Sequence, residues 1–365
     1  MVEWKSLGEV CSFNRGRTIT AKDAVGGDVP VIAGGQSPSY YHNEPNRMGE
    51  NITIAGSGAY AGFVSYWNLP IYVSDAFTVD PSEMLQHKYL FYWLKMNQQK
   101  IYDTQKGAGV PHVHGKDIAG FTIPIPSLSE QSRIVSILDT FTASIENLKE
   151  QIEERRKQYE YERDQLLDLE GKDGVEMKTI GEIAKYRRGS FPQPYGNKEW
   201  YDGEGAMPFV QVADVEEKGM RLKKSTKQFI SRLAMPKSVY APIGTILVTL
   251  QGSIGKVAIT QYESYVDRTL GIFEGFTIDV NRKYFAHQLE KIFTIKKEKA
   301  RGGTIKTITK EEFTKFFIPL PSFSEQSRIV SILDTFEASI ANLEAQLELR
   351  QKQYEYYRNQ LLTFE

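Results

Sequence analysis

The chain has 365 residues, 41% hydrophobic and 25% charged, with a formal net charge of −1. That is the composition of a globular protein of two or three domains rather than a disordered one. Its one cysteine, Cys11, excludes an intrachain disulfide and argues against a cysteine-based zinc site. No apolar run approaches the ~18 residues of a membrane span, and the opening Met1-Val-Glu-Trp-Lys5 has no apolar signal core, so the expectation is a cytoplasmic, reducing setting with no membrane partner.

In chain order, residues 2–10 open the first half and Arg15 and Arg17 flank Gly16 just beyond. Short β-rich runs bounded by turn residues follow at 29–33, 52–55, 62–66 and 71–73, then a helical pattern at 83–99. Gly107-Ala-Gly-Val110 predicts a turn, and Phe121-Thr-Ile-Pro124 a final strand leading into a long helix. Gly171-Lys-Asp-Gly174 predicts a flexible C-cap to that helix. The plan then repeats. Residues 175–183 resemble 2–10, strands are predicted at 207–212, 244–249 and 256–260, and a helix at 282–299. Gly302-Gly-Thr-Ile305 predicts the matching turn and Phe316-Phe-Ile-Pro319 the matching last strand. Each globular segment is therefore expected to be α+β.

Residues 125–170 return 195 positions later as 320–365, with 33 of 46 identical, and Ser129-Glu-Gln-Ser-Arg-Ile-Val-Ser-Ile-Leu-Asp-Thr-Phe141 is unchanged at 324–336. Ser127 with Glu130, and Ser322 with Glu325, have the spacing of a capping box, in which each side chain satisfies a free backbone N–H of the other residue. Apolar residues then recur at 3-4 spacing: Leu138, Phe141, Ile145, Leu148 and Ile152, matched by Leu333, Phe336, Ile340, Leu343 and Leu347. Sustained 3.5-residue periodicity predicts a coiled-coil seam, and ~40 residues without internal Pro or Gly make a rod of roughly 60 Å. Arg155 and Arg350 interrupt the seam at matching positions. Either they fix register and orientation, or the seam opens there onto solvent or another subunit. Antiparallel pairing of two such helices predicts a pseudo-two-fold arrangement made from one chain.

The globular segments share only scattered residues, and their charge differs. Residues 1–124 carry a net −1, whereas 175–319 carry 24 Lys and Arg against 16 Asp and Glu, a net +8. A basic segment favours a polyanionic partner, though a solvated surface of ordinary kind has the same composition. Enzyme signatures are missing. Gly56-Ser-Gly-Ala-Tyr-Ala-Gly62 and Gln251-Gly-Ser-Ile-Gly-Lys256 lack the spacing of a dinucleotide loop and read as turns where the backbone approaches something closely. There is no Walker A, HExxH or EF-hand pattern. His112-Val-His114 has no nearby carboxylate cluster to complete a metal site, and the matching second-half positions are Thr307 and Thr309. No catalytic, cofactor-binding or metal-binding residue is assigned.

The order of segments, with the Pro-Ser-x-Ser-Glu-Gln-x-Arg-Ile-Val-x-Ile-Leu-Asp motif at 126–139 and 321–334 and the Trp4-Lys-x-Leu-Gly-Glu9 opening, resembles the specificity subunit of type I restriction–modification systems over essentially all of the chain. The resemblance implies two target-recognition domains (1–124 and 171–319) and two conserved spacer helices (125–170 and 320–365). It also implies a non-catalytic subunit that reads a bipartite sequence in double-stranded DNA. Two modification subunits would supply S-adenosylmethionine and methylate adenine N6, and restriction subunits can add ATP- and Mg-dependent cleavage. Because the two domains differ, the target should be asymmetric. The alternative reading is a structural interaction protein whose coiled coil pairs two generic α+β domains.

The resemblance does not assign DNA contacts, since recognition domains of this family vary. Long polar side chains beside glycine turns are the candidates, because Arg and Lys neutralise phosphates or bond guanine and Asn and Gln bond adenine. In the first domain these are Arg15, Arg17, Tyr60, Lys106, His112 and His114. In the second they are Arg187, Arg188, Gln251, Lys256, Arg268, Arg301 and Lys306.

Overall fold

The computed structural model describes residues 2–299 and 313–364. They fall into two compact units, Met1–Gln151 with Glu344–Glu365, and Ile152–Leu343. Packing thus groups part of each long helix with each globular domain.

The first unit runs β1 (Glu3–Ser6), a single helical turn α1 (Leu7–Val10), β2 (Cys11–Arg15), β3 (Val29–Ile32), β4 (Tyr40–His42), β5 (Glu50–Ala55), β6 (Val64–Asn68), β7 (Tyr72–Val73), β8 (Ala76–Pro81), α2 (His87–Met96), α3 (Gln98–Tyr102), α4 (Gly115–Ile118), β9 (Thr122–Ile125) and the start of α5 (Leu128–Leu167). Its strands form an antiparallel pair β1-β9, a four-stranded sheet β2-β8-β5-β6 and a three-stranded sheet β4-β3-β7, in which β3 and β7 are parallel. The sheet and α2 bury Ile52, Ile54, Val79, Tyr89, Leu90 and Leu94, and α5 adds Ile134 and Leu138 to the same cluster. Each such side chain contributes roughly 1.5–3 kcal/mol when fully buried.

The second unit repeats this plan with β10 (Glu176–Thr179), α6 (Ile180–Ile183), β11 (Ala184–Arg188), β12 (Met207–Val210), β13 (Gln228–Ile230), β14 (Val239–Ala241), β15 (Ile246–Thr249), β16 (Val257–Ile259), β17 (Ser264–Val266), β18 (Leu270–Phe276), α7 (Arg282–Lys299), β19 (Phe317–Leu320) and α8 (Phe323–Leu362). Its sheets are β10-β19, β11-β18-β15-β16 and β13-β12-β17-β14, with β12 and β17 parallel. Phe273, Tyr284, Phe285 and Phe313 build its core together with Leu167 from α5 and Ile329 and Leu333 from α8. Both long helices are 40 residues, as the periodicity predicts.

Matched side chains seat each long helix on a domain. In the first unit Gln131 is buried: its carbonyl accepts from Gln86 N–H (2.9 Å) and its amide donates to Pro126 O (3.0 Å). In the second unit Gln326 does the same with Asn281 N–H (3.0 Å) and Pro321 O (2.9 Å). Tyr89 donates to Pro124 O at 2.9 Å and Tyr284 to Pro319 O at 2.7 Å. The expected capping boxes form by half. Ser127 and Ser322 accept from the N–H groups of Glu130 and Glu325 (3.3 and 3.2 Å). The carboxylates turn instead to Arg133 and Arg328, which offer two charge-assisted bonds each.

Along the seam, Phe141 stacks on Tyr357 in the first unit (centroids 5.3 Å apart), and Tyr159 meets Phe336 in the second (6.3 Å). Residue number rises on α5 as it falls on α8, so the helices run antiparallel. The two seam arginines lie over aromatic rings: Arg350 over Phe141 at 5.7 Å, and Arg155 over Phe336 at 5.8 Å. A guanidinium over a ring keeps its charge while covering apolar surface. These arginines are therefore part of the helix packing rather than gaps in it.

Candidate nucleic-acid interface

Each domain has a recess where its parallel strand ends, and a glycine shapes it. Gly16, directly after β2, donates to Ala76 O at 2.9 Å, and a Cβ there would fall inside van der Waals distance of the carbonyl oxygens of Val73 and Ser74. Gly189, directly after β11, donates to Leu270 O at 3.0 Å and would clash likewise with Val266 and Asp267. Only a residue without a side chain lets two backbone segments approach so closely.

In the first domain the recess is a partly open cavity of about 170 Å³ lined by Arg15, Asp75, His112 and His114 among others. The two imidazoles stack with centroids 6.3 Å apart, and His112 Nδ1 lies 2.7 Å from Val110 O. Lys106 is bridged to His112 through the backbone and its ammonium pairs with Asp117. That hydrogen bond from Lys106 holds the Asp117 carboxyl below the usual carboxylate range. Tyr60 is exposed in a turn whose Gly58 N–H donates to Pro111 O at 3.0 Å, placing it against the same loop. Arg17 is exposed and its N–H is tied to Val73 O at 3.0 Å. The structure thus brings Arg15, His112 and His114 to one recess, although they are spread over about 100 residues of sequence, while Arg17, Tyr60 and Lys106 are not among its lining residues.

The second-domain recess is more open, about 360 Å³, and is lined by Tyr195, Gln211, Val212, Asp267, Arg268 and Thr269. Arg268 lies 4.9 Å over the Tyr195 ring, and the Tyr195 hydroxyl donates to the buried Asp267. Burial, reinforced by Asp267, pushes the Tyr195 hydroxyl pKa up, so it stays a donor. Gln251 is exposed on a turn whose Gly252 approaches Val212. Arg187, half-exposed, pairs with Glu274 at 3.8 Å, and Arg188 hydrogen-bonds Tyr186. Lys256 is drawn inward, with 15% of its side chain exposed and its ammonium paired to Glu217. Arg301 and Lys306 lie outside the described residues.

Sequence reasoning missed Asp75, Tyr195, Gln211 and Asp267. Asp75 and Asp267 look like ordinary polar residues after short strands, and nothing in their spacing shows that they meet Ser57 and Tyr195. Among the described residues no group of three or more His, Cys, Asp or Glu side chains could hold a metal ion, and no helix is long and apolar enough to cross a membrane.

The family described as type I restriction modification DNA specificity domain matches residues 1–155 and 172–350. A type I restriction enzyme specificity subunit from Escherichia coli is 31% identical over 395 aligned positions, covering 100% of this chain and 94% of that protein. A putative type I restriction enzyme specificity subunit from Haemophilus influenzae is 29% identical, covering 100% and 96%. Among solved structures, the type I restriction–modification S subunit from M. genitalium superposes with a TM-score of 0.67 at 16% identity, covering 100% of this chain and 97% of that one. These relatives favour the DNA-specificity reading over a coiled-coil interaction protein. The chain belongs to the type I restriction modification DNA specificity family, as a DNA-recognition subunit and not a catalytic one.

Proposed function

We propose that this subunit reads two unlike DNA half-sites, one with each domain, and presents the DNA to partner subunits that carry out the chemistry. The observation that carries the reading is one backbone frame holding two chemically different recesses: Arg15, Asp75 and a histidine pair in one, Tyr195, Gln211 and Arg268 in the other. Arg15, Arg17, Tyr60, Lys106, His112 and His114 form the first contact set. Arg187, Arg188, Gln251 and Arg268 form the second, with Lys256 a weaker member because Glu217 already neutralises it. Phosphate contacts position the duplex and the recess residues read base edges.

Two modification subunits, each carrying S-adenosylmethionine, methylate adenine N6 in this reading. Restriction subunits, where they join, bring ATP and Mg for cleavage. Methylation-aware sequencing of the host genome, paired with salt titration of duplex binding by the assembled complex, tests the proposal. The expected result is an asymmetric, interrupted methylation motif and a log K that falls linearly with log salt. A palindromic or uninterrupted motif, or no salt-sensitive DNA binding by the complex, overturns it.

A further inference from the structure

We propose that Arg268 reads a guanine in the second half-site. This rests on the DNA-reading function above and narrows it to one residue and one base. Arg268 is exposed at the mouth of the second recess, two residues past the end of β17. Its guanidinium lies 4.9 Å from the centroid of Tyr195. That ring is held on two sides. Its hydroxyl donates to Asp267, and its face leans on Phe191 with centroids 5.0 Å apart. Asp267 is itself 2% exposed and accepts from Thr269 N–H at 2.9 Å. The surface under the guanidinium is therefore fixed before any ligand arrives.

A guanidinium held over a ring is attracted by the ring without using up its N–H donors. Among the described residues no carboxylate or carbonyl accepts from Arg268, whereas Arg187 is paired with Glu274 and Arg188 is bonded to Tyr186. A planar fork with unengaged donors matches guanine O6 and N7 bidentately; a phosphate can accept the same fork, and it is the recess beside Arg268 that favours a base. The recess beside it, bounded by Gln211, Val212 and Ala213, leaves room for a base edge.

The first domain supplies an internal contrast. Ile32 pairs with Val73 in one parallel pair and Val210 with Val266 in the other, and Ser74 and Asp267 each donate back to the neighbouring strand, to Ile32 O and Val210 O. Two residues, Ser74 and Asp75, then lead to the next strand in the first domain and three, Asp267 to Thr269, in the second. Asp75 O and Thr269 O accept from the matching N–H groups of Gly56 and Leu250, so Arg268 stands in a link one residue longer, where the first domain has only Asp75. Asp75 is an acceptor engaged by Ser57 and offers nothing to the two acceptors of guanine. Guanine reading from this link belongs to the second half-site alone.

The test uses the full chain assembled with its modification subunits and a duplex library randomised one position at a time in the second half-site. Wild type should demand G·C at one position. In Arg268→Ala the preference at that position should fall roughly 10- to 100-fold while the other positions hold, as expected for loss of one bidentate base contact. Arg268→Lys keeps the charge but not the fork, so it should lose the same preference with an unchanged salt dependence. Tyr195→Leu, which loosens the plane, should lose part of it. If Arg268→Ala instead weakens every sequence alike and lowers the salt slope by about one, the residue is a phosphate contact and the proposal fails. Wild-type complex without salt-sensitive duplex binding would remove the DNA-reading function beneath it, a separate outcome.

Discussion

The two recognition domains agree where each meets a long helix and disagree where its parallel strand ends. Gln131 and Gln326 make the same buried bonds, Tyr89 and Tyr284 reach equivalent proline carbonyls, and Gly16 and Gly189 hold equivalent close approaches. Yet a histidine pair and an aspartate line one recess, and an arginine on a tyrosine lines the other. A second difference lies behind α2 and α7. Tyr92 donates to Asp139 at 2.6 Å, beside Lys88 on the same carboxylate. At the matching place His287 is fully buried with no partner on either ring nitrogen among the described residues, while Lys283 pairs with Asp334 and, at 2.7 Å, with Glu337. Agreement is thus concentrated in bonds that involve main chain, and variation in side chains whose change leaves those bonds standing.

Substitution can break this comparison in order of severity. Gly189→Val should be the most damaging, because the new side chain meets backbone that cannot yield. We expect a loss of about 3 kcal/mol or more and of the second half-site's selectivity, with the first half-site retained. Gly16→Val should do the converse. Thermal unfolding of the full chain with half-site selection reads both, and retention of both half-sites in either variant refutes the pinning role.

Gln326→Leu should cost about 2–4 kcal/mol, since it strands the buried N–H of Asn281 and the carbonyl of Pro321. Gln131→Leu should cost somewhat more, because Gln131 also donates to Met84 O at 2.8 Å. Denaturant unfolding ranks the pair, and the reverse order would mean that the two clamps are not equivalent.

His287 sharpens the contrast through pH. Burial first, then the charges of Lys283 and Arg163, lowers its pKa from 6.5 to about 3. The folded chain therefore refuses a proton that the unfolded chain accepts. The stability this histidine allows is complete above pH ~6.5 and is lost as pH falls toward 3, by up to about 1.4 kcal/mol per pH unit. Burial and Asp139 push the Tyr92 pKa upward, so its position adds no such slope in acid. His287→Phe should flatten the pH dependence of amide exchange around α7 and leave α2 unchanged. An undiminished slope would show that other groups set it. The smallest effect is expected at the seam: Arg155→Leu and Arg350→Leu should each change stability by about 1 kcal/mol or less, measured by the same unfolding.

Much of the frame is legible in sequence because it obeys local rules. The repeat, the serine caps and the apolar period of 125–170 and 320–365 predict two 40-residue helices, and they form. Strands rich in Val and Ile, such as β3 and β15, are equally plain. Edge strand β2, Cys-Ser-Phe-Asn-Arg, escapes because its alternating exposure leaves few β-formers, and β18 because Gly271 and Gly275 interrupt it. The glutamine of Ser-Glu-Gln is visible as conserved within the repeat, but its partners Gln86 and Asn281 lie 45 residues upstream in each case. Glu130 was expected to close a capping box, and Arg133 one turn later outbids the backbone for it. The recesses were hardest to foresee, since Arg15, Asp75 and His112 meet only after the strands pair.

The contacts of Gly16 and Gly189 have an evolutionary side. Each recess is held by main-chain bonds, Gly16 N–H to Ala76 O and Gly189 N–H to Leu270 O, and a main-chain bond does not register which side chains its residues carry. The rim can therefore drift in identity, charge and size without renegotiating the scaffold, provided one atom-poor position stays bare. A lineage of such subunits can explore new targets by point substitution on the rim, and the glycine is where that exploration stops.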